Sequence, residues 1–200
     1  MNVIVDYFVA NYLEIIAAAL GVIAVFLQIR INSFYWIISI LNVGLYIGVY
    51  ISEKLYALML LMVYYILMSI YGWFTWQRGK KANKQQEELS VSYTNLKTWF
   101  YLIIIASAAF VLVVWVLTHF TDSNTPILDA LVTTLSFAAT WMLARKKIEN
   151  WCVWLVADII SCGLYYKQDM LPTLILYMFL SVMAVVGFYS WKKTLNQSNA

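Results

Sequence analysis

The chain has 200 residues, of which 64% are hydrophobic and only 12% are charged, and its formal net charge is +3. Soluble domains are about half apolar and a quarter charged, so this composition excludes an ordinary soluble protein. It predicts an all-α membrane protein, because a helix satisfies its own backbone hydrogen bonds inside a bilayer.

Seven apolar runs, separated by charged and turn residues, follow one another along the chain, and each approaches the ~20 residues that cross a bilayer. The predicted transmembrane helices cover residues 11–29, 33–52, 55–77, 98–118, 126–144, 149–166 and 171–191. The first run has no basic stretch before it and no small-residue cleavage site after it. We therefore expect no cleaved signal peptide.

Basic residues lie mostly on one side of these spans. Of the 13 lysines and arginines, only Lys54 and Lys167 fall on the other side. By the positive-inside rule the basic side is cytoplasmic, which places the N terminus outside and the C terminus in the cytoplasm. Each basic cluster lies at a helix end, so topology explains it better than nucleic-acid binding does.

The sequence offers no metal or cofactor site. His119 has no second ligand residue at useful spacing, and Cys152 and Cys162 are expected to be small packing residues. We therefore expect no metal, no cofactor and no nucleic-acid partner. We expect membrane lipids to surround the chain, and the sequence is compatible with a homo-oligomer.

A polar segment at residues 77–95 divides the chain and is interpreted as part of a cytoplasmic linker. The predicted domains are a first three-helix repeat at 1–77, the linker at 78–97, a linking helix with an outer loop at 98–125, a second three-helix repeat at 126–193 and a cytoplasmic tail at 194–200.

The two halves resemble each other in sequence. The run "WIISILN", which ends at Asn42, is matched by "VWLVAD", which ends at Asp158, and "YGWFTW" is matched by "VGFYSW". This register makes Asn42 and Asp158 equivalent. Three helices and one crossover helix separate the copies, so both run in the same direction. Such repeats are typical of transporters with a substrate site near the bilayer midplane.

Asp158 is the deepest acid in the predicted spans. It lies ~12 Å from the cytoplasmic end of its helix, where a charge normally faces a cavity or a partner. Trp151, Trp154 and Tyr165 share its helical face. Aromatic rings beside a carboxylate predict a pocket for a flat, positively charged organic molecule.

Polar faces on other predicted helices add candidates to this pocket. The candidate substrate-binding residues are Trp154, Asp158, Asn42, Trp151, Ser39, Tyr46, Asp129, Thr133 and Tyr177. Asn42 alone could equally hold two helices together. Ser136 and Thr140, which continue the face of Asp129 and Thr133, could bond only their own backbone.

The motif "YGWFTW" before a basic loop and "ARKKIENW" before a tryptophan-rich helix together resemble the Pnu family of bacterial B-vitamin transporters. The resemblance extends over nearly the whole chain, from Glu14 to "GFYSWKK". It implies a SWEET-like fold of two parallel three-helix bundles joined by a linking helix, in the bacterial inner membrane. It also implies facilitated diffusion of an unphosphorylated vitamin, accumulated by cytoplasmic phosphorylation. For alternating access, Gly72, Gly187 and Pro172 are candidate pivots.

The resemblance places substrate residues on the helix of Trp154 and Asp158. Many nicotinamide riboside members carry Asn where this chain has Asp158, and Gln where it has Met62. Nicotinamide riboside and thiamine are both flat and cationic, and the first is preferred; uncharged riboflavin suits the carboxylate less well. An intramembrane aspartyl enzyme is disfavoured because Asp129 and Asp158 lie at different predicted depths. A third possible function, a non-transporting membrane subunit, would not explain the polar faces of the helices.

Overall fold

The computed structural model describes residues 12–52, 56–81, 89–167 and 171–198. Within these ranges it contains seven α-helices and no β-strand. The helices are α1 Tyr12–Ile29, α2 Phe34–Ser52, α3 Tyr56–Lys81, α4 Leu96–Phe120, α5 Pro126–Ala144, α6 Asn150–Lys167 and α7 Leu171–Ser198. The seven predicted helices are therefore confirmed, and α3 and α7 continue beyond their predicted ends through polar residues.

Three of the described helices are long and apolar enough to cross a bilayer. They are α4, α5 and the part of α7 over Leu171–Gln197. Shorter apolar stretches lie in α1 and α2, at Ala19–Ile29 and Phe34–Gly44. Polar residues such as Asn150 and Asp158 make α6 less apolar. The crossing of the bilayer by all seven helices stays a prediction.

Helix α4 exposes most of its apolar surface. Its buried residues, Val113 and Leu117, pack with Ala130 of α5. Around the rest of the helix, large aliphatic side chains such as Ile105 and Val111 are exposed. Apolar side chains all around a helix are expected where acyl chains replace water as the solvent.

The chain forms two compact units, Met1–Trp73 and Phe74–Ala200, and α3 contributes to both. In the first unit α1 packs against α2. In the second unit α5 packs against α4 and α6, and α6 packs against α7. The predicted domain boundaries near residues 77 and 97 stay a prediction.

The turn between α1 and α2 depends on a left-handed residue. Ile31 has a φ of 52°. Its N–H donates to the Gln28 carbonyl (3.0 Å), and the Asn32 N–H donates to the Leu27 carbonyl (2.9 Å). These are the two bonds of a Schellman motif, which ends a helix through a residue of positive φ that is usually glycine. A β-branched residue in this conformation is strained.

The turn between α5 and α6 has the same geometry. Lys146 has a φ of 50° and lies 115 positions after Ile31. Its N–H donates to the Leu143 carbonyl (2.9 Å), and the Lys147 N–H donates to the Met142 carbonyl (2.8 Å). Each donor and acceptor is 115 positions after its counterpart in the first turn.

A contact between tryptophan and glycine recurs at the same interval. The indole of Trp36 on α2 is fully buried and occupies the space that a Cβ at Gly72 of α3 would need. Trp151 on α6 occupies the same space at Gly187 of α7. Close approach of a ring explains both glycines. The structure gives them a packing role, and their predicted role as pivots stays a prediction.

The turn and the contact that recur at an interval of 115 residues support the predicted repeat of α1–α3 in α5–α7 and correct its register. Asn42 corresponds to Ala157, and Asp158 corresponds to Val43. The predicted equivalence of Asn42 and Asp158 is therefore wrong by one residue. One residue turns a helix by about 100°, so the two polar groups occupy different faces of their helices. Short aliphatic runs misled the sequence comparison because they align equally well at neighbouring offsets.

Candidate functional site

The candidate site is built around Asp158, in the middle of α6. The side chain is only 4% exposed. No hydrogen bond or ion pair of its carboxylate is found among the residues that the structure describes. A buried carboxylate without compensation is unfavourable, and inside a membrane protein it normally meets a cation or a polar cavity. Asp158 is therefore a ligand-binding candidate.

Trp154 lies one helical turn before Asp158 and shares its face. Its indole nitrogen, Nε1, is buried and has no hydrogen-bond partner among the described residues. A buried N–H without a partner costs ~1–3 kcal/mol. The face thus carries one unpaired donor and one unpaired acceptor a turn apart, which suits a ligand that has both a positive charge and a hydrogen-bond acceptor.

The same face continues toward the C-terminal end of α6. Ser161, one turn beyond Asp158, is buried. Tyr165 stacks on Tyr177 of α7, with ring centroids 5.1 Å apart and planes 25° apart. The Ser181 hydroxyl donates to the Tyr177 carbonyl (2.9 Å). The structure thus brings the predicted candidate Tyr177 to the α6 face. Ser161 was missed, although its spacing of three from Asp158 could have indicated it.

Trp151, another predicted binding residue, is engaged in packing. Its ring lies against Gly187 and meets the ring of Trp191 edge-on, with centroids 5.6 Å apart. Trp191 in turn approaches Trp76 at 6.4 Å. Lys146 Nζ lies 5.6 Å from the centre of the Trp76 ring, within range of a cation–π interaction. Trp151 therefore belongs to a tryptophan cluster that fixes the first turn of α6, and its predicted place in the pocket gains no support.

Asp129 lies in the first turn of α5, where an acid interacts favourably with the helix dipole. Its carboxylate accepts hydrogen bonds from the hydroxyls of Ser123 and Thr125. The preceding loop thus accounts for both oxygens. A substrate-binding role for Asp129 stays a prediction, and the local contacts give it a capping role.

The remaining hydroxyls of the predicted α5 face mostly serve their own helix. Ser136 Oγ donates to the Val132 carbonyl (2.8 Å), and Thr140 Oγ1 donates to the Ser136 carbonyl (2.7 Å). This is the alternative that their residue types left open. Thr133 is half-buried, and it remains the α5 hydroxyl to test.

In the first unit, the polar candidates connect α2 and α3. Ser39 accepts a hydrogen bond from Ser69 Oγ (3.2 Å). Asn42 is half-buried. The corrected register no longer makes Asn42 equivalent to Asp158, so its place opposite Asp158 stays a prediction without that support. The side chains of Tyr46 and Glu14 lie outside the described part of the structure.

Comparisons with known proteins agree on one family. A family model described as "Nicotinamide mononucleotide transporter" matches residues 11–193. The nicotinamide riboside transporter PnuC of Escherichia coli K12 is 22% identical over 207 residues, which cover 90% of this chain and 85% of that protein. The nicotinamide riboside transporter PnuC of Neisseria mucosa is 24% identical over 197 residues, which cover 94% of this chain and 74% of that protein.

A solved structure has the same fold. The crystal structure of the vitamin B3 transporter PnuC matches with a TM-score of 0.73 at 21% sequence identity. The match covers 96% of this chain and 87% of that chain.

Proposed function

The chain belongs to the nicotinamide mononucleotide transporter family and is a multi-pass membrane protein, and we propose that it imports nicotinamide riboside across the bacterial inner membrane. The proposed mechanism is facilitated diffusion with alternating access, followed by phosphorylation in the cytoplasm, which retains the vitamin. Membership of a transporter family removes the support for an intramembrane aspartyl enzyme.

The observation that carries the proposal is the buried carboxylate of Asp158, which lacks a partner among the described residues. The nicotinamide ring of nicotinamide riboside is a flat pyridinium with a fixed positive charge. Pairing this charge with Asp158 would compensate the carboxylate in the low-dielectric interior. Because the substrate itself supplies the positive charge, no coupled proton or metal ion is needed.

Trp154 supports the same ligand. Its buried Nε1–H can donate to the carboxamide oxygen or to a ribose hydroxyl. Its indole face attracts a cationic ring through the ring quadrupole, a contact worth ~0.5–2 kcal/mol. The i, i+4 spacing directs both groups to one side of α6, so one small molecule can contact both.

The charge of the site favours the nucleoside over its phosphate. Nicotinamide mononucleotide adds a phosphate that carries about −1.5 to −2 charges at pH 7. That group would be repelled by Asp158 in a poorly screened site. Phosphorylation in the cytoplasm would therefore prevent the vitamin from returning through the same site. The compared relatives are nicotinamide riboside transporters, which favours this vitamin over thiamine.

The proposed orientation puts the N terminus outside and the C terminus in the cytoplasm, as the positive-inside rule requires. The turns that contain Arg30 and Arg145 to Lys147 would then both face the cytoplasm. Single cysteines introduced at Arg30 and at Asp122 would test this orientation in intact cells. Reaction of the Arg30 cysteine with a membrane-impermeant maleimide from outside would contradict it.

A binding experiment on the purified protein tests the substrate. Thermal unfolding would be compared with nicotinamide riboside, nicotinamide mononucleotide, thiamine or riboflavin added, because a ligand stabilises the protein only if it binds the folded state. We expect nicotinamide riboside to give the largest rise in apparent Tm. Asp158→Ala should weaken its binding at least about tenfold, as expected for truncating a buried charge pair.

Asp129→Ala is the matched control, because it removes the other described acid among the predicted binding residues and should leave nicotinamide riboside binding unchanged. Tighter binding of thiamine or of the mononucleotide would contradict the substrate assignment. Equal binding by wild type and Asp158→Ala would contradict the site. Uptake of labelled nicotinamide riboside into proteoliposomes without ATP or an ion gradient would test facilitated diffusion.

A further inference from the structure

Residues 89–94, here called the strap, precede α4 and are bound to the turn between α5 and α6. The Ser92 N–H donates to the Lys146 carbonyl (3.1 Å), and the Ile148 N–H donates to the Ser92 carbonyl (3.1 Å). This pairing forms an isolated parallel β-bridge. Val91, beside it, is only 4% exposed. A segment with the composition of a flexible linker is therefore held by backbone pairing and a buried side chain.

Glu149 makes the strongest contact to the strap. Its carboxylate accepts the Thr94 N–H (2.9 Å to Oε1 and 3.1 Å to Oε2) and the Thr94 hydroxyl (2.8 Å to Oε2). Hydrogen bonds to a charged acceptor are about twice as strong as neutral ones. The Glu149 carbonyl also accepts the Val153 N–H (3.1 Å), the first backbone bond of α6. The residue that opens α6 is thus also the residue that binds the strap.

The two lysines of the turn add further contacts. Lys147 Nζ donates to Ser92 Oγ (2.9 Å) and to the Tyr93 carbonyl (3.1 Å). Lys146 Nζ donates to the Leu89 carbonyl (2.8 Å). Lys147 and Lys146 therefore hold the strap at both of its ends, in addition to the bonds in its middle.

The equivalent turn of the first repeat has only local backbone bonds among the residues that the structure describes. The α1–α2 turn has the same Schellman bonds as the α5–α6 turn. There the Phe34 N–H is satisfied locally by Asn32 Oδ1 (3.0 Å). Phe34 is the counterpart of Glu149 and is 60% exposed. Within the described ranges, backbone pairing with a distant segment is thus found at the α5–α6 turn, on the repeat that carries Asp158.

We propose that the strap anchors the cytoplasmic end of α6, and that Thr94 and Glu149 are positioning residues for the substrate-binding face. Trp154 and Asp158 lie five and nine residues after Glu149, or ~7.5 and ~13.5 Å along a helix. A binding site tolerates displacements of about 0.5 Å, and a 5° tilt of α6 about its start would move Asp158 by roughly 1 Å. This positioning role depends on the proposed function.

The test uses substitutions that keep the size of each side chain. Glu149→Gln replaces one acceptor oxygen by a donor that faces the Thr94 donors. Thr94→Val removes only the hydroxyl bond, and Thr94→Ser retains it as the matched control. The Kd for nicotinamide riboside should rise about five- to tenfold in Glu149→Gln, less in Thr94→Val, and less than twofold in Thr94→Ser. The double variant should be less impaired than the product of the two single effects, because both remove one contact.

Hydrogen exchange of the peptides that cover residues 89–94 and 146–153 supplies a readout that needs no ligand. We expect faster exchange in Glu149→Gln and wild-type exchange in Thr94→Ser. Faster exchange with an unchanged Kd, or a lower Tm with an unchanged Kd, would overturn the positioning role and leave the proposed function intact. Unchanged exchange would overturn the anchor itself. Wild-type protein that binds no vitamin, with a protected strap, would instead refute the proposed function and the positioning role that depends on it.

Discussion

Gly187→Ala is the substitution whose outcome follows most directly from the packing of α6 on α7. The Cβ of alanine would overlap several ring atoms of Trp151. That ring cannot move aside easily, since it is 2% exposed and also packs on Trp191. The overlap must be relieved by a shift of α6 or by an unfavourable rotamer of Trp151.

The expected cost follows from two opposing effects. Overpacking of a core costs ~1–3 kcal/mol. Replacing glycine by alanine inside a helix gains ~1 kcal/mol from helix propensity. Gly163 on α6 isolates the second effect, because a Cβ there meets no atom within 4 Å. Gly163→Ala should therefore raise the free energy of unfolding by up to ~1 kcal/mol. The free energy of unfolding of Gly187→Ala should be lower than that of Gly163→Ala by the full overpacking cost.

The assay is thermal unfolding of the two variants in the same detergent. At ~2–4 °C per kcal/mol for a chain of this size, the apparent Tm values should differ by about 2–12 °C, with Gly187→Ala the lower. Adding Trp151→Phe, which shortens the ring system, should recover part of the loss in Gly187→Ala. Equal Tm values for Gly187→Ala and Gly163→Ala would refute the proposed contact.

Two further predictions use the paired turns and the paired acids. Ile31→Gly should raise the apparent Tm by ~1–4 °C, because it removes ~1–2 kcal/mol of left-handed strain and adds a smaller backbone entropy cost. Lys146→Gly at the equivalent position should raise the Tm less, since it also loses the contacts of Nζ to Leu89 and Trp76. A larger rise in Lys146→Gly would argue against those contacts. Asp129→Ala should lower the Tm by weakening the cap of α5 while leaving uptake of nicotinamide riboside intact. Parallel losses of uptake in Asp129→Ala and Asp158→Ala would assign both acids to the substrate.

The helices were predictable because their ends carry local signals. Pro126 begins α5, and basic residues follow α1 and α5. The predicted membrane span of α7 ends at residue 191, because apolar character marks only the part of a helix inside a bilayer. Beyond Trp191 the helix continues to Ser198 through mostly polar residues.

The strap could not be predicted, because its contacts join residues far apart in sequence. Ser92 and Lys146 pair through their backbones, which leaves no trace in residue type. Val91 alternates with Leu89 and Tyr93 between polar residues, a pattern that indicates extended backbone but does not identify its partner. Glu149 resembled an ordinary acid at the start of a helix, and its partner Thr94 is 55 residues away.

The repeat was predictable, but the two pairs of matched runs disagreed by one residue. The pair "YGWFTW" and "VGFYSW" is 115 residues apart and contains Gly72 and Gly187, whereas Asn42 and Asp158 are 116 residues apart. Tryptophan and glycine have specific steric roles. Such residues constrain an alignment more strongly than leucine, isoleucine and valine, which replace one another freely in apolar helices.

The corrected register separates what the two repeats share from what they do not. They share the Schellman turn and the tryptophan–glycine contact, which form and pack the helices. They differ where α6 carries Trp154 and Asp158, because the counterparts on α2 are Ser39 and Val43. They differ again at Glu149, which binds the strap. The carboxylate of Asp158, the unpaired indole N–H of Trp154 and the strap contact of Glu149 therefore all lie on α6 or at its start.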